Sequence, residues 1–278
     1  MNKLILLIIP VIVGVILVSI LFDSEPTESS VKDNSYSPKE ILFDAIGTED
    51  ENYYIGEDGK QHWISSIISL KENVDYSSVM NDGNSMFVIP FFTASAYESP
   101  GFYDYYNHVC DQTCLTAKMQ YSWRSEASCN AVQILGLLGY DIYSDVDIDH
   151  NPEILNKYDT VIILHNEYVT QKEFDAITNH VNVLYLYPNS NYGLITTDYD
   201  AETITLVRGH GYPDKEITNG FEWKFDNTYP FEYDVDCKTW EFYDIDNGKM
   251  LNCYPEELFL YDMKFLKTIR DLSLSTFD

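Results

Sequence analysis

The chain has 278 residues, and its 45 Asp and Glu against 17 Lys and Arg give a formal net charge of −28 at pH 7. A surface this acidic repels phosphate and offers few cations to replace counterions, which argues against binding of nucleic acid. Hydrophobic residues make up 45% of the chain. This content is enough to bury a core, so the composition excludes a disordered acidic polymer.

The amino-terminal segment is the first predicted element. Leu4–Phe22 is an apolar run that, at about 1.5 Å per residue, spans roughly the hydrocarbon core of a bilayer. Lys3 precedes it and acidic residues follow it. We therefore predict an uncleaved transmembrane anchor in residues 1–22, which places the protein in the cell membrane with a single pass and the bulk of the chain outside the cytoplasm. Residues 23–40 are predicted to be a disordered acidic linker, and residues 41–278 an extracytoplasmic α/β domain.

Three apolar runs of strand length follow, at Met86–Phe92, Asp159–His165 and Asn182–Tyr187. Continuous apolar runs of this length are typical of strands that are buried on both faces of a parallel sheet. The segment Thr93–Tyr97 after the first run is predicted to be a loop, and Tyr140–Tyr143 is predicted to begin a further short strand.

Two helices are predicted between these strands. Apolar residues recur at helical spacing in Arg124–Leu138, and Gly139 stands where a helix C-cap is expected. Thr170 and Glu173 form a capping box that begins a helix reaching Val181. This alternation of strands and helices indicates an α/β domain with a doubly wound, mostly parallel sheet.

The last third of the chain adds two hairpins and a helix. Leu194–Tyr199 and Thr203–Arg208 alternate as the strands of one hairpin, and Asn247-Gly248 marks the turn of the second. Pro255 begins a final amphipathic helix. The predicted fold class is α/β, with a doubly wound mostly parallel sheet, added β-hairpins and a C-terminal helix, preceded by one transmembrane helix.

The chain has five cysteines, and disulfides persist outside the cytoplasm. Cys110 and Cys114 are close enough in sequence to bridge across one turn, and they are the first predicted disulfide. Cys237 and Cys253 flank the second hairpin and are the second predicted pair, provided that a bulge or a folded-back strand entry brings them together. Cys129 lies within a predicted helix, where an inert buried thiol is expected.

Several common motifs are absent. The sequence has no nucleophile elbow, no Walker A motif and no GxGxxG after a strand, which argues against the common hydrolase, nucleotide and dinucleotide classes. Asp145, Asp147, Asp149 and Asn151 repeat as calcium-loop ligands do. The loop positions that require Gly and Glu hold other residues, so an ordinary acidic loop is expected there.

Side chains that are suited to catalysis or metal binding stand at the carboxyl end of the predicted strand Asp159–His165. They are His165, Asn166, Glu167 and Tyr168. Ligands of open α/β sheets bind at the carboxyl ends of the strands. His165 or Glu167 can act as a catalytic acid or base, and Glu167 and Tyr168 can ligate a metal through anionic oxygens. The alternative is that His165 and Asn166 cap backbone groups while Tyr168 packs in the core.

A second polar segment, Arg208–Pro213, follows a later strand. It holds His210 between two glycines, which allow a ligand to approach the backbone closely. A turn with a surface histidine is an equal alternative.

The segments Tyr140–Asp145 and Leu155–Glu173 resemble the "HxEYW" region of the carboxy-terminal domain of the N,N-dimethylformamidase large subunit. Thr93–Tyr106 resembles that family's loop after its first strand. The resemblance covers about residues 86–190 and implies a glutamine-amidotransferase-like, flavodoxin-like fold. The sequence departs from the family at Val169, where the family has Trp, and at His180–Asn182, where it has Gly-Gly.

The resemblance also implies a mononuclear iron, held by two tyrosines and a glutamate, that activates water for amide hydrolysis. The tyrosine of the motif corresponds to Tyr168. The second tyrosine is not assigned, and its candidates are Tyr97, Tyr103 and Tyr143. The glutamate is expected further along the chain, at Glu222 or Glu256.

Two functions from different classes remain open. The first is hydrolysis of an amide or similar C–N bond by a metal-activated water, with iron as the expected cofactor. The second is a non-catalytic envelope module that binds glycan, a cation or a protein partner. The expected partners are the membrane, through the N-terminal helix, and a small amide or glycan ligand.

Overall fold

The computed structural model describes residues 40–46, 53–55, 61–63, 67–121, 128–225 and 231–275. These residues belong to a compact unit that extends from Glu40 to Asp278. The anchor predicted in residues 1–22 lies outside the described residues, as does the linker predicted in residues 23–40 except for Glu40.

The described residues alternate between short strands and short helices. The strands are β1 (Phe43–Ile46), β2 (Tyr53–Ile55), β3 (Gln61–Trp63), β4 (Ile67–Leu70), β5 (Ser85–Ile89), β6 (Thr116–Lys118), β7 (Asp141–Ser144), β8 (Thr160–Ile163), β9 (Tyr168–Thr170), β10 (Val183–Tyr185), β11 (Gly193–Asp198), β12 (Thr203–Arg208), β13 (Phe242–Ile245) and β14 (Gly248–Leu251). The α-helices are α1 (Phe91–Tyr97), α2 (Phe102–Tyr106), α3 (Cys129–Leu137), α4 (Asp145–His150), α5 (Gln171–Asn179), α6 (Leu258–Tyr261) and α7 (Met263–Ser273). Short 3-10 helices lie at Gln112–Leu115, Pro152–Lys157 and Phe231–Tyr233.

The larger sheet has six strands in the order β13-β14-β10-β8-β5-β7. Neighbours from β14 to β7 are parallel, and β13 is antiparallel to β14. In the central strand β8, Ile162 faces α3, α6 and α7, whereas Val161 and Ile163 face α4 and α5, because successive side chains of a strand point to opposite faces. Both faces of the sheet are therefore buried, which explains why its strands are continuous apolar runs.

A second sheet has four strands in the order β6-β12-β11-β9. β9 is parallel to β11, and the other pairs are antiparallel. Its core contains Ile195 and Leu206, packed with Phe92 and Phe102 from α1 and α2. The chain passes from β8 to β9 through Leu164–Glu167, so the two sheets join at this turn. Two small antiparallel pairs, β1 with β4 and β2 with β3, complete the described sheets.

The predicted fold class is wrong in its membrane helix. No helix in the part of the chain that the structure describes is long and apolar enough to cross a membrane, so the predicted preceding transmembrane helix is not supported; Leu4–Phe22 itself lies outside that part. The predicted first hairpin is present, because β11 and β12 are antiparallel neighbours. It belongs to the second sheet, in which β9, too short to show a periodic pattern, pairs with β11. The domain is mixed α/β with several sheets.

Two local predictions differ from the structure. Residues Thr93–Tyr97, predicted to be a loop, belong to helix α1, whose Phe92 N–H donates to the Asp145 carboxylate at 2.8 Å. The predicted final helix is two helices, because Asp262 ends α6 and accepts from the Phe265 N–H at 2.9 Å as the cap of α7. The helix predicted from Arg124 is present from Cys129, and residues 124–127 lie outside the described residues.

Both predicted disulfides, Cys110–Cys114 and Cys237–Cys253, are present. The second hairpin pairs Ile245 with Gly248, so its turn is one residue earlier than the sequence predicted, and Cys253 lies beyond β14. Cys129 is a buried thiol outside both bridges. Two disulfides are consistent with an oxidising, extracytoplasmic compartment.

Candidate functional site

Glu167 lies in the turn that joins the two sheets, just after the carboxyl end of β8. Its backbone N–H donates to the Thr93 hydroxyl of α1 at 2.9 Å. Its carbonyl oxygen accepts from the N–H groups of Tyr192 and Gly193, at 2.9 and 2.8 Å, just before and at the start of β11. The turn is therefore held both by helix α1 and by the start of β11, and the Glu167 backbone has a fixed position.

The Glu167 carboxylate is fully buried among polar side chains. One oxygen contacts His210 Nε2, and the other accepts from the Tyr97 hydroxyl at 2.6 Å. His165 Nε2 lies 3.7 Å from the same carboxylate. Glu167 and its partners come from the ends of three segments: His165 and Glu167 follow β8, Tyr97 ends α1, and His210 follows β12.

Glu167 is ionised because its donors outweigh its burial. Burial raises the pKa of the Glu167 carboxyl, but the hydrogen bond and charge of His210, the charge of His165 and the hydrogen bond from Tyr97 lower it below the ordinary value. A carboxylate stays charged in a buried place only when charged or hydrogen-bonding partners compensate its lost hydration. We therefore read the short contact with His210 as donation from His210 Nε2–H to the carboxylate.

One further phenol, that of Tyr103, extends this cluster. The Tyr103 hydroxyl donates to the Tyr97 hydroxyl at 3.3 Å, and the two rings meet edge to face. Burial and the neighbouring Glu167 charge raise the pKa of Tyr97 and of Tyr103 well above the usual range for a phenol. In the absence of a bound cation, both hydroxyls therefore keep their protons and act as donors.

Tyr168 packs against Tyr106 and His210. It is fully buried, its hydroxyl lies 3.5 Å from that of Tyr106, and its ring stacks on His210 with centroids 5.6 Å apart. A side chain at Gly193 would meet the Tyr168 ring, since a Cβ there would lie 2.5 Å from it. The glycine at the start of β11 thus permits the close approach of Tyr168 to the second sheet.

A cleft of ≈ 990 Å³ opens beside this cluster. Tyr103 and His210 belong both to the cluster and to the cleft wall, and Tyr106, which stacks on His210, also lines the cleft. The side chain of His210 is 19% exposed, whereas that of Glu167 is 0% exposed. Among the described residues, His210 and Tyr103 therefore separate the cleft from the buried carboxylate.

Most of the remaining predicted site residues lie elsewhere. Tyr143 is on β7, where its ring meets Tyr158. Glu222 is exposed. Glu256 is buried, where it accepts from the Asn130 N–H in the first turn of α3 and from the Tyr187 hydroxyl. None of these three makes a described contact with Glu167.

Asp145 and Asp149, predicted to lie in an ordinary acidic loop, are on helix α4 and are buried. Asp145 caps α1 as described above. Asp149 accepts from the hydroxyls of Thr170 and Tyr199, each at 2.6 Å. Their oxygens are thus used by hydrogen bonds within the protein.

Sequence reasoning missed Tyr106 and left two members of the cluster undecided. Tyr97 was one of three tyrosines that the resemblance allowed, and His210 was equally well explained as a surface turn. The glycines beside His210 were the available signal, because Gly209 has φ +123° and lets β12 end against the backbone of Gly193. No feature of the neighbouring sequence indicates that Tyr106 belongs to the site.

The iron that the resemblance implies can be tested against these contacts. The Tyr97 hydroxyl lies within hydrogen-bond reach of both the Glu167 carboxylate and the Tyr103 hydroxyl, and carboxylate and phenolate oxygens are ligands that a hard cation such as ferric iron accepts. No group of three or more His, Cys, Asp or Glu side chains in the described ranges is arranged to hold a metal ion. A metal at this place would therefore depend on tyrosine oxygens, and these three residues fit the two-tyrosine, one-glutamate set.

No protein-family model matches the chain, and the search of curated proteins gives no match. The site is therefore described by its chemistry: an ionised, buried carboxylate at the end of a parallel strand, in contact with two imidazoles and a phenol.

Proposed function

We propose that the protein is a hydrolase of amide or similar C–N bonds, and that its active centre is the Glu167 cluster. The observation that carries the proposal is the ionised Glu167 carboxylate, held by Tyr97 and His210 at the carboxyl end of β8 and reached from a cleft through His210. Buried carboxylate–imidazole pairs at such strand ends are typical of acid–base centres. The amide as substrate class rests on the resemblance alone.

His210 is the general base in this proposal. Because its Nε2–H donates to Glu167, its Nδ1 is left to accept a proton from the water that attacks the carbonyl carbon. The imidazolium that forms is stabilised by the Glu167 charge, and it then passes the proton to the leaving nitrogen. Glu167 fixes the ring and its tautomer and does not itself take the proton.

The phenols have two roles. Tyr106, in the cleft wall and stacked on His210 with centroids 5.2 Å apart, supplies a hydroxyl donor to the substrate carbonyl oxygen. Tyr97, Tyr103 and Glu167 are the residues that would hold a metal ion. When bound, such an ion supplies Lewis-acid polarisation of the carbonyl group.

The test is metal content of the purified full chain after loading with ferrous salt. We expect about one iron per chain and, in the ferric state, a phenolate charge-transfer absorbance. Tyr97→Phe and Tyr103→Phe should each reduce both signals. Tyr140→Phe removes a hydroxyl from another buried tyrosine, which contacts Ser273, and should leave both signals unchanged.

Tyr168→Phe separates two ligand assignments. If the sequence-based assignment of Tyr168 is right, this variant should lose iron; if Tyr97 and Tyr103 are the ligands, it should keep iron and lose only the contact with Tyr106. A chain that binds no iron, zinc or calcium under any loading condition, and that cleaves no amide, would overturn the hydrolase proposal. The non-catalytic binding module would then remain.

A further inference from the structure

The cleft has a composition that the proposed hydrolysis does not explain. Five tyrosines line it, whereas removal of a proton from water needs only the His210 end. Its volume of ≈ 990 Å³ is near the upper end of the roughly 300–1,000 Å³ of small-molecule sites. The remainder of the cleft is therefore available to a non-reacting part of a ligand.

The tyrosine rings of the cleft wall pack against one another edge to face. Tyr106 meets Tyr103 at 84° and Tyr105 at 67°, with centroids 5.5 and 5.8 Å apart. Tyr105 in turn stands at 87° to Tyr212, which lies outside the cleft lining. These contacts make a continuous aromatic wall, and the face of an aromatic ring attracts substituted ammonium ions.

The charges around the cleft favour a cation. Asp111 and Glu232 line it. The opposing groups are Lys215 and the imidazoles of His108 and His210, of which His210 already binds Glu167. The net charge of −28 adds a long-range field that attracts cations to any acidic cleft.

We propose that the tyrosine-lined part of the cleft binds an organic cation of the substituted-ammonium class. Tyr103, Tyr105 and Tyr106 form the aromatic wall, and Glu232 supplies the countercharge. The further statement that this cation is part of the hydrolysed substrate rests on the proposed function; binding of the cation does not.

Choline and its uncharged carbon isostere dimethylbutanol are matched probes, because they have the same shape and differ in charge. Calorimetric titration of the full chain, with chelator present to remove metal ions, should show choline binding roughly two- to thirtyfold tighter than the isostere, the range of cation–π contributions. Tyr105→Leu should weaken choline binding by a factor in the same range, and Tyr105→Phe should retain most of it because the ring remains.

Two charge variants should act in opposite directions. Glu232→Gln removes the countercharge and should weaken choline binding, whereas Lys215→Gln removes the opposing charge and should strengthen it. Glu241→Gln also removes one negative charge, but from an exposed position outside the cleft lining, and should change binding little. Added salt should weaken binding to all these forms.

Equal affinity for choline and the isostere, or no choline binding, would overturn the proposal without any variant having to fold. Binding of a neutral oligosaccharide in place of choline, unaffected by the two cleft charge variants, would also overturn it and identify a glycan site. These titrations exclude metal and measure no turnover. They can therefore fail while the iron and amidase tests succeed, and they can succeed while those tests fail.

Discussion

Glu167 and Glu173 are both fully buried, and their neighbours give them different protonation states. Glu167 has hydrogen-bond donors on both oxygens and is ionised. Glu173, on α5, has no hydrogen-bond partner for either oxygen among the described residues, and burial, with the charges of Asp145 and Asp149, raises its pKa well above the ordinary value. An unpartnered buried carboxylate is tolerated only in its neutral form, so Glu173 is protonated in the folded protein.

Glu173→Gln should therefore stabilise the protein increasingly as the pH rises. The unfolded chain releases the Glu173 proton above about pH 4.3, whereas the native chain retains it, so wild-type stability falls with pH by up to about 1.4 kcal/mol per pH unit from this group. The glutamine variant lacks this loss. Urea unfolding of both proteins between about pH 4 and 8 measures the difference.

Asp175→Asn is the matched control for that experiment, because Asp175 lies exposed on the same helix. Its stability relative to wild type should change little over the same pH range. A constant difference between Glu173→Gln and wild type across the range would show that Glu173 is charged in the native state.

At the scale of secondary-structure elements, helix α1 connects buried Asp145, at its first turn, with buried Glu167, at its last residue. Asp145 of α4 holds its first turn, and Tyr97 at its last residue binds Glu167. The residue before α1 is Pro90, which offers no side-chain cap. The placement of Tyr97 therefore depends on a carboxylate that is distant in sequence.

Asp145→Ala should reduce both stability and the integrity of the site. Loss of a helix cap costs about 0.5–2 kcal/mol, and the first turn of α1 that it releases positions Tyr97. Asp262→Ala removes the cap of α7 and should cost a similar amount. We expect only Asp145→Ala to reduce iron binding or activity per folded molecule; equal effects of both variants on the site would contradict this coupling.

The same contrast shows what the sequence can reveal. Of the predicted capping box of α5, the Thr170 half is confirmed, because the Thr170 hydroxyl accepts from the Glu173 N–H. The Glu173 half is wrong, because that side chain has no hydrogen-bond partner among the described residues. Helix α1 was missed because its cap comes from another helix. Likewise His165 and Glu167 share one turn and were predicted together, whereas Tyr97 and His210 reach Glu167 from a helix end and a strand end that are distant in sequence.

At the scale of the whole molecule, charge opposes the compact state. The net charge is −28, and the described ion pairs other than those of Glu167, Lys249 and Arg270 join side chains that are largely exposed, such as Lys224 with Asp246. Exposed pairs contribute about 0–1 kcal/mol each. Repulsion among the carboxylates is therefore the larger electrostatic effect on folding.

Sodium chloride should accordingly stabilise the protein. Raising the ionic strength from about 0.01 to 0.15 M shortens the screening length from about 30 to 8 Å, which weakens the repulsion between separated carboxylates more than it weakens close pairs. The midpoint of unfolding in urea, which is uncharged, should rise over this range. A falling midpoint would show that native ion pairs outweigh the repulsion.

The junction at Leu164–Glu167 has a mechanical consequence. His210 follows β12 of the second sheet, while Tyr97 ends helix α1, so the two oxygens of one carboxylate are each held by a different element. A shift of α1 relative to β12 would lengthen at least one of these two hydrogen bonds. A ligand that displaced α1 would therefore weaken the hydrogen bonding of the Glu167 carboxylate without contacting it.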